Sequence, residues 1–380
     1  MKRIAILGST GSVGTNALRL IADRPDRFAV AALTAHQSVE KVVAQAQQFA
    51  PTAVCVADGN ARPSGLADGT AFFTGSEGVV EALEASRPDV VLNAITGAAG
   101  LPASEWTVRK GLPLALANKE SLVMAGPFLM ELARESGSTI LPVDSEHCAI
   151  FQCLVGEDRG KVRRIHLTAS GGPFRTLPGE QFADITPEEA LRHPTWDMGP
   201  RITIGSATLM NKAFEVLEAH WLFGLSPDQI HVICHPQSIV HSMVEFVDGS
   251  ILAQLGVPDM RVPILYCLAY PERAPFDFMP FDASRFSELN FHEVDTDRFP
   301  AIPLAFETLE KGGTSGAVLN AADEVMTGLF LAGKVSFPAI TQTVTTVVRD
   351  HAATPIHTLE DVLAADRSAR DATRSLANNP

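Results

Sequence analysis

Gly8, Gly11 and Gly14 recur at every third position between an apolar run at residues 3–7 and a segment at 15–23. In that segment Ala17, Leu18, Leu20 and Ile21 repeat with helical spacing. Strand, glycine turn and helix in this order open a dinucleotide-binding α/β sheet. Glycines let a backbone approach a pyrophosphate, and the amides at the helix start receive its charge. The spacing is G-x-x-G-x-x-G, and a tight turn by itself would also explain it. The next segments favour the nucleotide. Apolar strands are predicted at 28–34, 53–57, 89–95 and 112–117, with helices at 38–49 and 78–86 between them. Such alternation builds a parallel sheet.

The second strand runs into His36, Gln37 and Ser38. An acid at this point would bind the ribose 2′-hydroxyl of NAD, and the turn contains none. That absence tilts the reading toward NADP, whose 2′-phosphate a carboxylate would repel. Two more turns follow strands: Thr96–Gly100, made of small residues, and Asn118-Lys119-Glu120-Ser121. Ligands of open α/β sheets gather outside the carboxyl ends of strands, so these turns are expected to converge. Lys119 is a candidate cation for a substrate carbonyl or phosphate. Taken alone, a surface pair with Glu120 is the better explanation of it.

Asp144 and Glu146 stand two residues apart in Pro142-Val-Asp-Ser-Glu-His-Cys, after an apolar strand at 139–141. In extended backbone, residues i and i+2 share a face. Carboxylates so close repel one another unless a proton or cation lies between them. Oxygen donors alone suit a hard ion, Mg2+ or Mn2+.

Beyond residue 144 the alternation loosens. A strand at 161–168 ends in Ser170-Gly171-Gly172, a turn able to offer a hydroxyl and amides to an anion, or simply a turn. The loop His193-Pro-Thr-Trp196-Asp-Met198-Gly199 carries unusual apolar weight and could close over a ligand. A helix is predicted after Gly205, with Ser206 as its N-cap. Asn211, Lys212 and Glu215 then fall on one side of it. Lys212 and Glu215 read either as a surface ion pair or as parts of a phosphate and metal site. His235 ends a further strand, where histidines are more often structural.

Residues 271–299 are rich in Pro and Phe and read as a linker. Helical segments are predicted at 304–311, 316–332, 337–351 and 358–376. The net charge of −14 argues against nucleic acid or anionic membrane as a partner. Five cysteines without metal-site spacing read as buried thiols of a reducing compartment. No apolar run reaches the ~18 residues that span a membrane. The chain opens directly into a strand, with no signal or transit segment, so a cytoplasmic location is expected.

Taken together, several stretches resemble the 1-deoxy-D-xylulose 5-phosphate reductoisomerase family. They are GSTGSVG at 8–14, ITGAAG at 95–100, LANKESLV at 116–123 and PVDSEHCAIFQ at 142–152, then SGGPFR at 170–175 and HPTWDMG at 193–199. SATLMNKAFE at 206–215, HPQSIVHSMV at 235–244 and QLGVPDMR at 254–261 complete the series in order. The resemblance implies an α/β chain with an N-terminal Rossmann-like NADP-binding domain at 1–143. It also implies a central α+β catalytic domain at 144–270 with a lid near 193–199, a linker at 271–299 and a C-terminal helical bundle at 300–380.

The implied activity is conversion of 1-deoxyxylulose 5-phosphate to 2-C-methylerythritol 4-phosphate, using NADPH and Mn2+ or Mg2+, with Co2+ also allowed. Matched by position, Asp144, Glu146 and Glu215 correspond to metal ligands. Lys119 and Ser145 correspond to substrate contacts beside the metal. Ser170, Ser206, Asn211 and Lys212 correspond to a phosphate cradle, and His193, Trp196 and Met198 to the lid. Lys119, Glu146, His193 and His235 are the expected catalytic group. Gly8, Thr10, Gly11, Ser12, Val13, His36, Gln37, Ser38, Asn118, Glu120 and Gly199 are expected along NADPH. The family also implies a homodimer. His36-Gln37-Ser38 departs from the family's Gly/Asn turn, often basic; Gly205 stands where Asp or Asn is common, and Ala213 where Gly is frequent. Two rival readings remain: a metal-assisted NADP dehydrogenase of another sugar phosphate or hydroxy acid, and a non-catalytic NADP sensor.

Overall fold

The structure is a computed structural model that describes residues 1–196, 198–276 and 282–378. The chain divides into two compact units. The first comprises Met1–Ser121, Leu129–Ser145 and Asp259–Asp277; the second comprises Leu122–Phe128, Glu146–Pro258 and Phe278–Pro380.

The first unit is built on seven parallel strands: β1 (Lys2–Leu7), β2 (Phe28–Ala35), β3 (Ala53–Val56), β4 (Ala71–Thr74), β5 (Val90–Asn93), β6 (Leu114–Leu116) and β7 (Ile140–Pro142). Their order is β4-β3-β2-β1-β5-β6-β7. Ile4, Ala5, Ile6 and Leu7 are all fully buried, as expected of a central strand covered on both faces. The chain first builds outward from β1 to β4, then returns to the other side of β1 with β5. The crevice where the order reverses therefore lies between the ends of β1 and β5.

The first helix, Ser12–Ala22, starts three residues earlier than its apolar spacing suggested, because Gly11 is its N-cap in extended conformation. Two of the three glycines in the turn are required by packing. A Cβ on Gly8 would stand 2.6 Å from the Ala94 carbonyl oxygen, and one on Gly14 would stand 2.5 Å from the Gly8 carbonyl oxygen. Gly11 meets no such obstruction, since its Cβ would lie 3.4 Å from the Gly8 oxygen. The edge strand β4 was not expected; it is four residues long and half-exposed, too short for a period to show.

The second unit holds a five-stranded sheet: β8 (Val162–Ala169), β9 (Ile230–Cys234), β10 (Val240–Phe246), β11 (Ile251–Leu255) and β12 (His292–Glu293). Their order is β11-β10-β8-β9-β12, with only β8 and β9 parallel. Strand β12 lies inside the segment expected to be a linker, and Asp277–Phe281 of that segment lie outside the described residues. The helix Met210–Phe223 belongs to this unit, as do the four C-terminal helices Ala301–Lys311, Ser315–Leu331, Phe337–Asp350 and Leu359–Asn378. Among the described residues, no helix is long and apolar enough to cross a membrane.

Pro127 lies inside the helix Glu120–Ser136, which is non-helical at Ala125. A proline has no N–H, so the carbonyl four residues earlier, that of Val123, loses its helical donor. Gly316 packs on that carbonyl so closely that a Cβ would fall 2.0 Å from the oxygen. Gly316→Ala is expected to destabilise the protein by roughly 1–3 kcal/mol, the usual range for overpacking. Thermal melting compared with Gly333→Ala, a glycine with open space around it but a strained φ of 68°, separates the packing penalty from backbone strain.

Candidate active site

In the first unit, the carboxyl ends of the neighbouring strands β2, β1, β5 and β6 bring together the turns that the sequence singled out. Asn118 knits two of them. Its Nδ2 donates to the carbonyls of Ile95 at 2.7 Å and Gly97 at 2.9 Å and to Glu120 Oε2 at 3.0 Å. Gly97 N–H in turn donates to Glu120 Oε1 at 3.0 Å. A Cβ on Gly100 would fall 2.6 Å from Asn118 Cγ, so the turn at 96–100 closes directly on this amide. Asn118 and Glu120 thus shape the floor of the crevice.

The glycine turn fits a pyrophosphate in a specific way. Gly8 and Gly14 are glycines because backbone lies against them, whereas the unobstructed Gly11, with Thr10, Ser12 and Val13 beside it, fronts the helix start. After β2, Gln37 Nε2 donates to Asp58 Oδ2 at 2.8 Å. The turn itself holds no acid, as read from the sequence, but a carboxylate reaches it from just beyond β3. A cation also arrives, since Lys41 Nζ donates to the Thr10 carbonyl at 2.5 Å. Both residues escaped the sequence reading because they lie outside the turn at 36–38.

Asp144 and Glu146 do not lie on extended backbone, and that premise is corrected. Strand β7 ends at Pro142 and a helix, Ser145–Cys153, begins almost at once. Asp144 therefore precedes the helix and Glu146 sits in its first turn, where the helix dipole favours negative charge. Within the first unit, Asp144 is ion-paired with Lys119, both nearly buried. Ser145 is buried.

In the second unit, Lys212 is the centre of a buried cluster. Its ammonium donates to Glu146 Oε1 at 2.8 Å, to the Thr168 carbonyl at 2.5 Å and to Glu215. The side chains of Lys212 and Glu215 are 4% and 1% exposed, so neither charge is solvated. Burial works against the Lys212 charge, but Glu146 and Glu215 outweigh it and raise its pKa above the ordinary value. Three acceptor oxygens therefore surround the ammonium. Asn211 Nδ2 donates to Glu215 Oε1 at 2.6 Å. The donors of Asp144, Glu146 and Glu215 are hard oxygens, and each acid already faces an ammonium. Hard oxygen donors of this kind suit Mg2+ or Mn2+.

The Ser170 turn is the second element of this unit. Gly171 and Gly172 have φ of 84° and 67°, and a Cβ on Gly172 would fall 2.6 Å from the Ser206 carbonyl oxygen. Ser206 is thereby brought to the turn, but not as an N-cap. It lies in the last turn of the helix Pro200–Ala207, and Leu209, with φ of 59°, separates it from the helix that carries Asn211 and Lys212. His193 Nδ1 accepts from the amides of Thr195 at 3.1 Å and Trp196 at 2.9 Å. Its Nε2 must then carry the proton, and it donates to Ser170 Oγ at 3.2 Å. Burial lowers the His193 pKa, which keeps this ring neutral. Trp196 leans on the His241 ring, with centroids 6.5 Å apart. Met198 is half-buried, and exposed Gly199 caps the helix Pro200–Ala207.

His235 is fully buried, and both ring nitrogens serve backbone. Nε2 accepts from the amides of Ile239 and Val240, each at 3.1 Å, and Nδ1–H donates to the Asn290 carbonyl at 2.8 Å. The expected catalytic role for His235 is corrected to a positioning one. Two residues that mattered were missed. His147 and Glu218 are fully buried and 3.3 Å apart, and His147 Nε2 lies 2.9 Å from the Glu215 carbonyl oxygen. Their signal was faint: His147 follows Glu146, and Glu218 is one helical turn beyond Glu215.

Fold and site define an NADP-dependent oxidoreductase with a Rossmann-like sheet and an acid–lysine centre. The family model of 1-deoxy-D-xylulose 5-phosphate reductoisomerase matches residues 4–126. Models of its C-terminal domains match 140–223 and 255–372. The 1-deoxy-D-xylulose 5-phosphate reductoisomerases of Anaeromyxobacter sp. (strain K) and Chlorobaculum tepidum are 49% and 48% identical, over 97% and 99% of this chain and 96% and 100% of their own lengths. The Zymomonas mobilis enzyme, solved in complex with NADPH, superposes with a TM-score of 0.92 at 41% identity, covering 100% of both chains. A DOX-P reductoisomerase in complex with NADPH, fosmidomycin and magnesium gives 0.91 at 37% identity, covering 100% of this chain and 98% of that one. The chain belongs to the 1-deoxy-D-xylulose 5-phosphate reductoisomerase family.

His235 generates a pH prediction. Burial outweighs the Asn290 hydrogen bond and sets its pKa below the ordinary 6.5. The unfolded chain therefore binds a proton that the folded one refuses, so this contribution to stability is complete above pH 6.5 and is lost as pH falls through the folded value. His235→Leu is expected to lower stability by about 1–3 kcal/mol, by leaving two amides and a carbonyl unpaired. It should also flatten the acid side of the stability profile, as read from denaturant melts across pH.

Proposed function

We propose that this chain carries out the NADPH- and divalent-metal-dependent rearrangement and reduction of 1-deoxy-D-xylulose 5-phosphate to 2-C-methyl-D-erythritol 4-phosphate, with the residue roles given below. One observation carries the reading: two glutamates, one of them fully buried, are gathered about a single ammonium in a chain of this family. A hydrophobic core tolerates such a cluster only at a cost that function repays. When bound, the metal supplies Lewis acidity to adjacent substrate oxygens and NADPH supplies the hydride.

Asp144, Glu146 and Glu215 hold the ion. Lys119 and Ser145 orient the substrate oxygens beside it, and Lys212 balances the charge of the two glutamates. Ser170, Ser206, Asn211 and Lys212 receive the phosphate, whose binding energy positions the reacting carbons. His193 orients Ser170 and, with Trp196 and Met198, covers the substrate and excludes water. Gly8, Thr10, Gly11, Ser12 and Val13 line the pyrophosphate. Asn118, Glu120 and Gly199 border the rest of the dinucleotide, and His36, Gln37 and Ser38 border its 2′-phosphate. The protein works in the cytoplasm as a homodimer, a state favoured by Ile251, Leu252 and Leu255, which stand exposed on the edge strand β11.

The test is oxidation of NADPH with 1-deoxyxylulose 5-phosphate, with Mn2+ and then with EDTA. Turnover that EDTA abolishes supports the assignment. Folded protein that binds NADPH but turns over with no divalent metal would remove it. Glu215→Gln is expected to reduce turnover at least about a hundredfold while leaving NADPH binding intact.

Lys41 is the cation closest at hand for a 2′-phosphate, since the turn at 36–38 has none. Lys41→Ala should raise the KM for NADPH roughly five- to tenfold and leave that for NADH unchanged. Equal effects on both cofactors would remove Lys41 from this role.

A further inference from the structure

On one side of the second unit's sheet, two histidines point their Nδ1 atoms at each other. His166 on β8 and His231 on β9 are directly paired in the parallel ladder, and their Nδ1 atoms are 3.1 Å apart. The rings stand nearly perpendicular, at 79°. Each ring is held from behind by a carboxylate. His166 Nε2 lies 3.3 Å from Glu245 Oε2 on β10, and His231 Nε2 lies 3.1 Å from Glu293 Oε2 on β12.

This arrangement determines the tautomers. An ionised carboxylate only accepts, so each Nε2 carries a hydrogen. Both Nδ1 atoms are then left with lone pairs directed at one another. Two lone pairs at that separation repel unless a proton is shared between them or both turn onto one cation, which at ~2.0–2.1 Å from each nitrogen sits off the line that joins them. A histidine that donates its far N–H to a carboxylate while its near nitrogen stays bare is the arrangement found behind metal-bound imidazoles. Two nitrogens bound at ~2.0–2.1 Å to one ion stand roughly 2.9–3.4 Å apart, which brackets the observed 3.1 Å.

We propose that His166 and His231 form a second metal site, for a divalent transition metal such as Zn2+, with Glu245 and Glu293 as its outer carboxylates and water completing the coordination. Imidazole donors select a different ion from the oxygen set of Asp144, Glu146 and Glu215. The site is accessible, with the two histidine side chains 15% and 31% exposed. A shared proton is the competing occupant. It is disfavoured, because burial, His231 and Arg164 together outweigh Glu245 and lower the His166 pKa. Glu245 is also partly neutralised by Arg163, whose Nη1 is 3.0 Å from its Oε1. The two ligands stand on neighbouring strands and their carboxylate partners on the strands flanking them, so binding should stiffen the sheet.

The test is Zn2+ titration of the full chain by calorimetry in saturating Mg2+, for wild type, His166→Gln, His231→Gln and Glu215→Gln. One Zn2+ equivalent that persists in excess Mg2+, weakens at least tenfold in each histidine variant and survives in Glu215→Gln is the expected result. No Zn2+ uptake in Mg2+, or uptake unchanged by His231→Gln, overturns the proposal and leaves the pair to a proton. Should either histidine variant fail to fold, histidine-selective 15N NMR of the wild type decides. Zn2+ must move two Nδ1 resonances, and a spectrum that stays put overturns the site.

Discussion

The Lys212 ammonium is the interaction on which the second unit's chemistry depends. It lies among Glu146, the end of β8 at Thr168, and Glu215, and it is almost wholly out of water. Burying the Glu215 carboxylate so deeply costs far less with this ammonium beside it. The same contact fixes three elements in register: the helix starting at Ser145, the sheet strand that leads to the Ser170 turn, and the helix Met210–Phe223. His147 and Glu218 extend the buried polar layer behind Glu215 and support its backbone.

The first unit solves a different problem. Its crevice is shaped less by charge than by close approach of backbone, with Lys41 the cation that reaches the glycine turn. Backbone does the work: Gly8 and Gly14 draw strand, turn and helix close, and Asn118 and Glu120 tie the two neighbouring turns into one surface. Local geometry, and not net charge, makes a chain of charge −14 compatible with two phosphorylated ligands.

Much of this was legible in the sequence, for identifiable reasons. Strand β1 is a continuous apolar run and so reads plainly as buried on both faces. The helices after residue 300 carry long periodic patterns. Short or exposed strands carry neither, which is why β4, β11 and β12 escaped notice. The misplacement of Ser206 has a sharper cause. Leu209 takes a left-handed conformation that no leucine advertises, so one apparent helix became two. Asp144 and Glu146 were expected on one face of extended backbone, but Ser145 opens a helix, and their partners within the protein are Lys119 and Lys212. His235 looked catalytic by resemblance, and its two committed nitrogens became visible only once β10 and Asn290 were in place. Lys41 and Asp58 lay a few residues outside the window where a fingerprint directs attention.

The hydroxyl of Ser170 is polarised in one direction. It accepts from His193 Nε2–H and from the Gly172 amide, so its own hydrogen is what remains to offer. Because the His193 ring is pinned by the Thr195 and Trp196 amides, the hydroxyl cannot reverse its role by borrowing a different tautomer. The turn therefore sorts ligands by hydrogen-bond sense. A phosphonate, sulfate or carboxylate oxygen is welcome there, while an amide or ammonium group of the same size arrives as a second donor with nothing to receive it. If the substrate's phosphate meets this hydroxyl as proposed, any mimic of that end must keep an acceptor oxygen at this point.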